Sequence, residues 1–145
     1  MIALRDVQID DLPLILAWRN HPLVYEGFYE QGYLGKGLIT WEEHCCFWAK
    51  HLNSETYKAW VICYENRNVG VVWKLENEIG IYVGEVTLHR KGIGKQVLSL
   101  LAGTFNRTAN AKILKSNFKS MRLFESCGFK RAGEAREGEW LYELG

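Results

Sequence analysis

The chain has 145 residues, 48% of them hydrophobic and 24% charged, and its 18 basic and 17 acidic residues give a formal net charge of +1. This length supports one hydrophobic core and is too short for two ordinary domains, so we expect a single domain over residues 1–145. No run approaches the roughly 18 consecutive apolar residues of a transmembrane helix, and the start lacks a secretory signal pattern, which predicts a cytoplasmic protein without a membrane partner.

The four cysteines predict neither a disulfide framework nor a metal site. Cys45 and Cys46 are adjacent, which is a poor geometry for a disulfide bond between them. Cys63 and Cys127 complete no C-x-x-C spacing of the kind found in zinc knuckles and thioredoxin-like motifs. We therefore expect reduced thiols and no bound metal.

In chain order, the first predicted elements are a strand and a helix. Residues 2–7 have the pattern of a short strand. Asp10 or Asp11 can cap a helix that has Pro13 in its first turn and continues to Asn20.

A loop and a second helix follow. The loop is marked by four glycines, Gly27, Gly32, Gly35 and Gly37. Thr40 and Glu43 form a capping box, in which the hydroxyl and the carboxylate satisfy free amide groups at the start of a helix. That helix is predicted to continue to Leu52.

The middle of the chain is rich in β-branched and aromatic residues. Runs at 59–64 and 69–75 are separated by the polar residues 65–68, which predicts a hairpin. A third run begins at residue 78 and continues to 83 or beyond. Together they predict an antiparallel meander.

The last part of the chain predicts two helices that alternate with strands. The segments are a helix at 93–108, a strand at 111–116, a helix at 120–127 and hairpin arms at 129–135 and 140–144. Residues 136–139 are the predicted hairpin turn. Strands followed by such a βαβα segment favour a mixed α/β sheet.

The sequence HRKGIG at 89–94 has the composition of an anion-binding loop. Glycines at 92 and 94 let successive amides approach an anion without obstruction by a Cβ atom, and the helix that begins there adds its positive dipole end. A pyrophosphate fits such a nest. A plain tight turn before a helix is the alternative. The basic neighbours Arg90, Lys91 and Lys95 favour the anion site.

Charge is distributed unevenly along the chain. The segment from 86 to 131 holds ten of the 18 basic residues and a single acid, Glu125. Because this segment also contains the glycine loop, we expect an anionic ligand there and no nucleic acid. The acidic remainder suits a cationic acceptor, and solvated helix faces are the alternative for any single charge.

The loop and a run further along resemble the two signatures of the GCN5-related N-acetyltransferases. Residues 117–129 match N-x-x-S-x-x-L-[YF]-x-x-x-G-F, and residues 89–94 resemble the Q/R-x-x-G-x-G/A loop, with His89 at its first position. The resemblance covers the whole chain in order and is specific from about residue 78 to 129. It implies an α/β fold with a mixed, mainly antiparallel sheet flanked by helices and splayed between the fourth and fifth strands.

The resemblance also implies an activity and a set of residues. Acetyl-CoA would be the co-substrate, without a metal, and the acetyl group would pass to a primary amine by direct attack. The three phosphates of coenzyme A suit the basic segment. The implied cofactor-binding residues are Val83, Val86, His89, Arg90, Lys91, Gly92, Ile93, Gly94, Lys95, Asn117 and Phe124.

Three positions depart from the family pattern. His89 replaces the usual glutamine or arginine, and Arg90 stands where glycine is frequent. The alternative role of His89 is that of an exposed histidine. Phe124 stands where most members have a tyrosine that protonates the leaving thiolate, and phenylalanine has no proton to donate. A thiol with a pKa near the ~8.5 of cysteine is already a fair leaving group, so we expect activity without that acid.

Candidate catalytic residues follow from the strand that begins at residue 78. Alternation predicts that Ile79, Ile81 and Val83 share one face, and that Glu78, Gly80, Tyr82 and Gly84 share the other. The register of Glu78 resembles that of the acidic base in histone acetyltransferases, which makes it the first candidate base, with Glu85 in reserve. Tyr82 is the hydroxyl that could replace the missing tyrosine. A surface charge and a packing tyrosine are the alternatives.

The acceptor site is implied by the first two helices and the loop between them. Its candidate residues are Trp18, Arg19, Asn20 and Tyr29. The run W-R-N-x-P at 18–22 resembles a branch that includes ribosomal-protein N-terminal acetyltransferases and enzymes that acetylate nucleotide-linked amino sugars. We expect a small amine such as an amino sugar; a protein N terminus, or an acyl-CoA sensor without turnover, are the alternatives. A homodimer is left open.

Overall fold

Runs of β-branched and aromatic residues, which pack well on a pleated surface, form one sheet in this computed structural model. The structure describes residues 1–28, 37–105 and 108–144. The strands in these ranges are β1 (Ile2–Asp6), β2 (Tyr57–Tyr64), β3 (Arg67–Leu75), β4 (Glu78–Val83), β5 (Ala109–Leu114), β6 (Lys130–Arg136) and β7 (Glu139–Leu144). The α-helices are α1 (Leu12–Arg19), α2 (Pro22–Tyr25), α3 (Trp41–His51), α4 (Ile93–Ala102) and α5 (Phe118–Ser126).

The sheet has the order β1-β2-β3-β4-β5-β7-β6, and its neighbouring strands are antiparallel except for the parallel pair β4 and β5. That pair is in register only where Glu78 faces Asn110, beside a 2.8 Å hydrogen bond from Asn110 N to Asn77 O. Beyond this point the two strands separate. The fold class and the predicted splay between the fourth and fifth strands are therefore confirmed.

Two apolar cores cover the two faces of the sheet. The larger core includes Ile79 and Ile81 of β4 together with apolar residues of α4 and α5. The smaller core joins α1 and α3 to the opposite face, and Tyr82 packs against it. The predicted alternation along β4 is thus confirmed.

Most helix signals in the sequence are confirmed. Thr40 Oγ1 accepts from Glu43 N at 3.1 Å while Glu43 Oε1 accepts from Thr40 N at 3.2 Å, which is the predicted capping box at α3. Pro13 lies in the first turn of α1. The Asp11 carboxylate does not cap α1, because it accepts from Gln8 N and from Arg5, which ties the end of β1 to the turn before the helix.

Several boundaries differ from the prediction. Helix α4 ends at Ala102 rather than at 108, because Gly103 follows and the Thr104 hydroxyl bonds the carbonyl of Leu101. Strand β5 begins at 109 rather than 111, and α5 occupies 118–126 rather than 120–127. Helix α2 was not predicted; its capping interaction is the His21 ring, which accepts from Leu23 N.

The closing hairpin is also shifted. Strand β7 begins at Glu139, a residue that the sequence placed in the turn. The strands β6 and β7 are joined by two residues, of which Gly138 has a left-handed φ of 82°. Glycine adopts this conformation readily, which lets the turn be short. In the part of the chain that the structure describes, no helix is long and apolar enough to cross a bilayer.

Candidate active site

The separation of β4 and β5 opens a cleft cavity of about 530 Å³. This volume is within the range of small-molecule sites, roughly 300–1,000 Å³. The structure brings together at this cavity the predicted cofactor residues Val83, His89, Arg90, Gly92, Ile93, Gly94, Lys95, Asn117 and Phe124. The two others, Val86 and Lys91, lie outside the described part of its lining.

The start of α4 has the geometry of an anion nest. Gly92 precedes the helix with a left-handed φ of 77°, and a Cβ atom added there would meet nothing within 4 Å. The first intrahelical bond of α4 runs from Gln96 N to Gly92 O, so the amides of residues 93–95 have no partner within the helix. Open space in front of unpaired amides suits a phosphate group.

Glycine is required at position 94 for a different structural reason. A Cβ atom at this position would lie 2.9 Å from Leu123 Cδ2, which is closer than ordinary packing allows. The glycine therefore permits the close approach of α4 to α5. The two glycines of the loop differ in role, because Gly92 faces open space and Gly94 faces a neighbouring helix.

Positive side chains line the cavity beyond the predicted set. Lys119 and Arg122 on α5 and Lys112 on β5 join the predicted cations of the loop. Lys119 and Arg122 are three residues apart on a helix and so share a face, a spacing that could have revealed them in the sequence. Lys112 is neutralised in part by Glu78, whose carboxylate lies 3.2 Å from its ammonium.

His89 joins three parts of the cavity wall. Its Nε2 donates to the carbonyl of Val83 at 2.7 Å, and its Nδ1 lies 3.5 Å from the ammonium of Lys119. Because a carbonyl can only accept and an ammonium can only donate, Nε2 is the ring nitrogen oriented to donate and Nδ1 the one oriented to accept. His89 is half-buried, and its expected alternative role as an exposed histidine is wrong.

Strand β4 presents backbone donors to the cavity. Gly84 N donates to Val69 O at 2.7 Å, so this amide points toward β3. Successive peptide groups of a strand alternate between its edges, which directs the amides of Ile81 and Val83 toward β5. The Val83 carbonyl has the same direction, since it accepts the bond from His89.

Asn117 connects two walls of the cavity. Its Oδ1 accepts from Ser120 N at 3.2 Å and so caps α5, while its Nδ2 donates to the carbonyl of Gly27 at 3.3 Å. This second bond ties α5 to the segment that follows α2. Leu23, Val24 and Gly27 line the cavity from that side.

An aromatic cluster forms the opposite wall. Phe28, Trp73 and Tyr82 line the cavity, with ring centroids 5.7–6.2 Å apart. Gly80 makes room for this cluster, because a Cβ atom there would lie 2.0 Å from the Trp73 ring. The guanidinium of Arg19 lies over the Phe28 ring at 4.3 Å. Its Nε is buried and has no hydrogen-bond partner among the described residues.

One acidic side chain lines the cavity among the described residues. Glu139, at the start of β7, is 8% exposed and lies beside the cleft. Its place at the cavity was not predicted, because the sequence pattern assigned this residue to a turn.

Comparison with known proteins identifies the family. The family described as acetyltransferase (GNAT) domain matches residues 2–130. The chain belongs to this family. A curated relative, an uncharacterised protein of Methanocaldococcus jannaschii, is 38% identical over 156 aligned residues. The alignment covers 99% of this chain and 31% of the relative, so the chain spans about a third of that protein's length.

Solved structures share the GNAT fold. A domain from Methanocaldococcus jannaschii has a TM-score of 0.85 at 39% identity and covers 99% of this chain and 97% of its own. A Vibrio cholerae spermidine N-acetyltransferase in complex with CoA and spermine has a TM-score of 0.78 at 18% identity. The match covers 98% of this chain and 92% of the spermidine N-acetyltransferase chain. An aminoglycoside acetyltransferase in complex with coenzyme A and kanamycin has a TM-score of 0.82 at 17% identity. The match covers 99% of this chain and 93% of the aminoglycoside acetyltransferase chain. The last two show the fold alone.

Phe124 occupies the tyrosine position of the GNAT signature. It is 3% exposed, lines the cavity and packs edge-to-face against Phe129 with ring centroids 5.0 Å apart. Its ring belongs to the larger apolar core, so the side chain both shapes the cavity and stabilises the fold. It carries no proton that could be transferred.

The three candidate catalytic residues of the GNAT domain have different environments. Tyr82 lines the cavity, and burial raises the pKa of its hydroxyl well above the ordinary value, so this group stays protonated. Glu78 is paired with Lys112 at the closed end of the splay. Glu85 accepts from Trp18 Nε1 at 2.7 Å and from Arg67 at 3.2 Å. In the described lining of the cavity, neither carboxylate is present.

The predicted acceptor residues lie behind the aromatic wall. Trp18 is buried and committed to Glu85, and Asn20 exchanges two 2.9 Å hydrogen bonds with the backbone of Ile39. Arg19 reaches the cavity only through the rings of Phe28 and Tyr82. Tyr29 lies outside the described residues.

Proposed function

We propose that this domain transfers the acetyl group of acetyl-CoA to the primary amine of a small molecule, with amino sugars as the favoured class. The observation that carries the proposal is the cleft between β4 and β5, which combines an anion nest, a cationic wall and an aromatic wall around one cavity. Structures of the same fold hold coenzyme A together with spermine or with kanamycin, which are amines.

The residues of the cleft fit acetyl-CoA. The amides at the start of α4 and the cations Lys95, Lys119 and Arg122 would hold its phosphates. The amides of Ile81 and Val83 are donors for polar atoms that enter the splay. Acetyl-CoA supplies an acetyl group that its thioester has already activated.

For the two proton transfers of the reaction, from the amine and to the thiolate, we keep the residues that the sequence predicts. Glu78 or Glu85 would accept the proton of the acceptor amine, and their placement outside the cavity lining requires that a water connects them to it. Tyr82 is the protonated hydroxyl at the cavity and would serve the departing thiolate. The amine then attacks directly, without a covalent intermediate on the enzyme.

A second function is favoured by two observations. Phe124 has no proton to donate, and both predicted bases are held in ion pairs. These features would suit a domain that binds acyl-CoA as a sensor and has no turnover. The two functions differ in one measurable product, which is free CoA released in the presence of an amine.

The test has two parts. Calorimetry should show that acetyl-CoA binds more tightly than 3′-dephospho-acetyl-CoA and that its affinity falls with added salt, as expected for phosphate contacts with exposed cations. A thiol assay with a panel of amino sugars, polyamines, aminoglycosides and peptides should then show amine-dependent CoA release, with the acetylated product identified by mass spectrometry. Binding without release from any amine would favour the sensor. Absence of binding would reject both functions.

A further inference from the structure

We infer that Glu139 binds the cationic amine of the acceptor, an assignment that rests on the proposed acetyl transfer. Glu139 is 8% exposed. It is the only acidic residue among the described residues that line the cleft cavity. Burial of a carboxylate is costly unless a partner compensates it. Arg136 of the same hairpin is one such partner, and an ammonium group is a second partner that this activity would bring into the cavity.

The hairpin fixes Glu139 at the open end of the splay. In the sheet register Glu139 faces Leu114, the last residue of β5. The carbonyl of Gly138 accepts from Lys115 N at 2.9 Å, which ties the hairpin turn to the chain that leaves β5. The carboxylate therefore stands where β5 has diverged from β4, rather than at the closed end that Glu78 occupies.

The face of the sheet places Glu139 on the acceptor side. Ala111 and Ile113 of β5 point into the core with α4 and α5, so alternation directs Lys112 and Leu114 to the opposite face. Glu139 faces Leu114 across the ladder and shares that side. This is the side that α1 and α3 cover, and these two helices are the ones that the family resemblance assigns to the acceptor site.

The charges of the cavity are separated between its walls. The groups that face it are Arg90 and His89 from the loop, Lys95 from α4, Lys119 and Arg122 from α5, and Lys112 from β5. Lys112 is paired with Glu78, and Arg19 is separated from the cavity by the rings of Phe28 and Tyr82. The other cations of the lining therefore lie toward α4 and α5. An anionic cofactor and a cationic amine would thus meet opposite charges on opposite walls.

The existing partner of Glu139 leaves it able to bind a second cation. Arg136 lies in the same hairpin, with Nε 3.2 Å from Oε1 and Nη2 3.4 Å from Oε2. The Nε contact has an ordinary hydrogen-bond length and the Nη2 contact is long. The Arg136 side chain is 74% exposed, so water screens its end of the pair. A carboxylate has about four acceptor positions, and Arg136 uses two.

Steady-state kinetics on the full chain test the assignment. The acceptor is the panel member with the highest turnover among glucosamine, a nucleotide-linked amino sugar, spermidine and kanamycin. Glu139→Gln should raise the KM for this amine about 10- to 100-fold and change kcat much less, because a charge-assisted contact is lost. The difference in KM between the wild type and Glu139→Gln should become smaller at a pH where the amine is neutral. The affinity of Glu139→Gln for acetyl-CoA should equal that of the wild type.

Two variants separate this role from a structural one. Glu143→Gln removes the same charge from the same face of β7, outside the cavity lining, and should leave KM unchanged. Arg136→Gln removes the structural partner and should leave the KM for the amine equal or lower. Should Arg136→Gln raise KM as much as Glu139→Gln, the carboxylate only supports the hairpin.

The remaining outcomes distinguish this inference from the proposed function. Turnover by the wild type with equal KM values for Glu139→Gln and Glu143→Gln would overturn the role of Glu139 and leave the acetyl transfer intact. Acetyl-CoA binding by the wild type without turnover on any amine would overturn the proposed function and this inference together.

Discussion

Gly92 and Gly103 stand at opposite ends of α4, and only Gly92 has a backbone that a side chain would strain. Its φ is 77°, whereas that of Gly103 is −74°, and at both positions an added Cβ atom would meet nothing within 4 Å. The pair is therefore a matched test of the anion nest, because the same substitution fills open space at each end of one helix.

We predict that Gly92→Ala weakens acetyl-CoA binding at least tenfold and that Gly103→Ala leaves it unchanged. The added methyl group enters the open space at the start of α4, where a phosphate would approach, and also costs about 1–2 kcal/mol of stability in the left-handed conformation. Calorimetry gives the affinity and urea unfolding gives the stability. Equal affinities in two folded variants would mean that the nest binds no phosphate. Gly94 is a poorer test, since its substitution also disturbs the contact with Leu123.

Local signals in the sequence predicted much of the fold and of the cofactor side of the site. The capping box at Thr40 and the alternation along β4 depend on neighbouring residues only, so they could be recognised without the structure. The glycine loop was recognised for the same reason. The sequence could not distinguish Gly92, which faces open space, from Gly94, which faces Leu123, because that difference arises from the packing of α5.

The acceptor side depends on contacts between distant segments and was predicted less completely. Glu139 reaches the cavity through the pairing of β7 with β5 and through a turn two residues shorter than predicted. Glu78 and Glu85 were chosen by register alone, and their partners Lys112 and Trp18 come from other elements. Such pairings have no signal in a single sequence.

Phe124 allows a test of the missing proton donor. Phe124→Tyr should leave acetyl-CoA affinity near its original value and either raise kcat modestly or leave it unchanged, because Tyr82 or water serves the thiolate. Steady-state rates as a function of pH check this. A large gain in kcat for Phe124→Tyr, together with an unaltered pH profile for Tyr82→Phe, would mean that the natural chain lacks an effective proton donor. That outcome would favour the acyl-CoA sensor over the acetyltransferase.

Removal of the Phe124 ring should affect the fold as well as the cofactor. Because the ring is buried against Phe129, we predict that Phe124→Ala lowers the free energy of unfolding by about 3–5 kcal/mol. Urea unfolding measures this loss. Binding of acetyl-CoA should weaken too, and the ligand should partly restore the thermal midpoint if the enlarged cavity still binds it.

His44 should make the stability of the fold depend on pH. Burial lowers the pKa of His44, opposed by its 2.9 Å bond to the carbonyl of Leu12 and assisted by the charge of Arg19. As the pH falls below about 6.5, His44 is therefore protonated in the unfolded chain before it is protonated in the folded chain. The free energy of unfolding that this difference contributes is present above that pH and is lost as the pH falls through the pKa of His44 in the folded state. The urea midpoint of the wild type should therefore fall between about pH 7.5 and about pH 5.

The control for this prediction is a second histidine of the same helix. His44→Gln should flatten the decline in the urea midpoint, and His51→Gln should reproduce the wild-type decline, because the side chain of His51 is only half-buried. A decline that persists in His44→Gln would assign the pH dependence to other groups.

Glu78 is the remaining carboxylate whose role kinetics can settle. If it accepts the amine proton through water, Glu78→Gln should lower kcat at neutral pH by about 10²-fold or more and recover part of it at high pH, where the amine is already neutral. Lys112→Met is the matched control, because it breaks the same 3.2 Å ion pair and keeps the carboxylate. A defect shared by both variants would assign Glu78 to the stability of the β4–β5 junction. A defect in neither would transfer the role to Glu85, whose substitution by glutamine would then reproduce the expected pH profile.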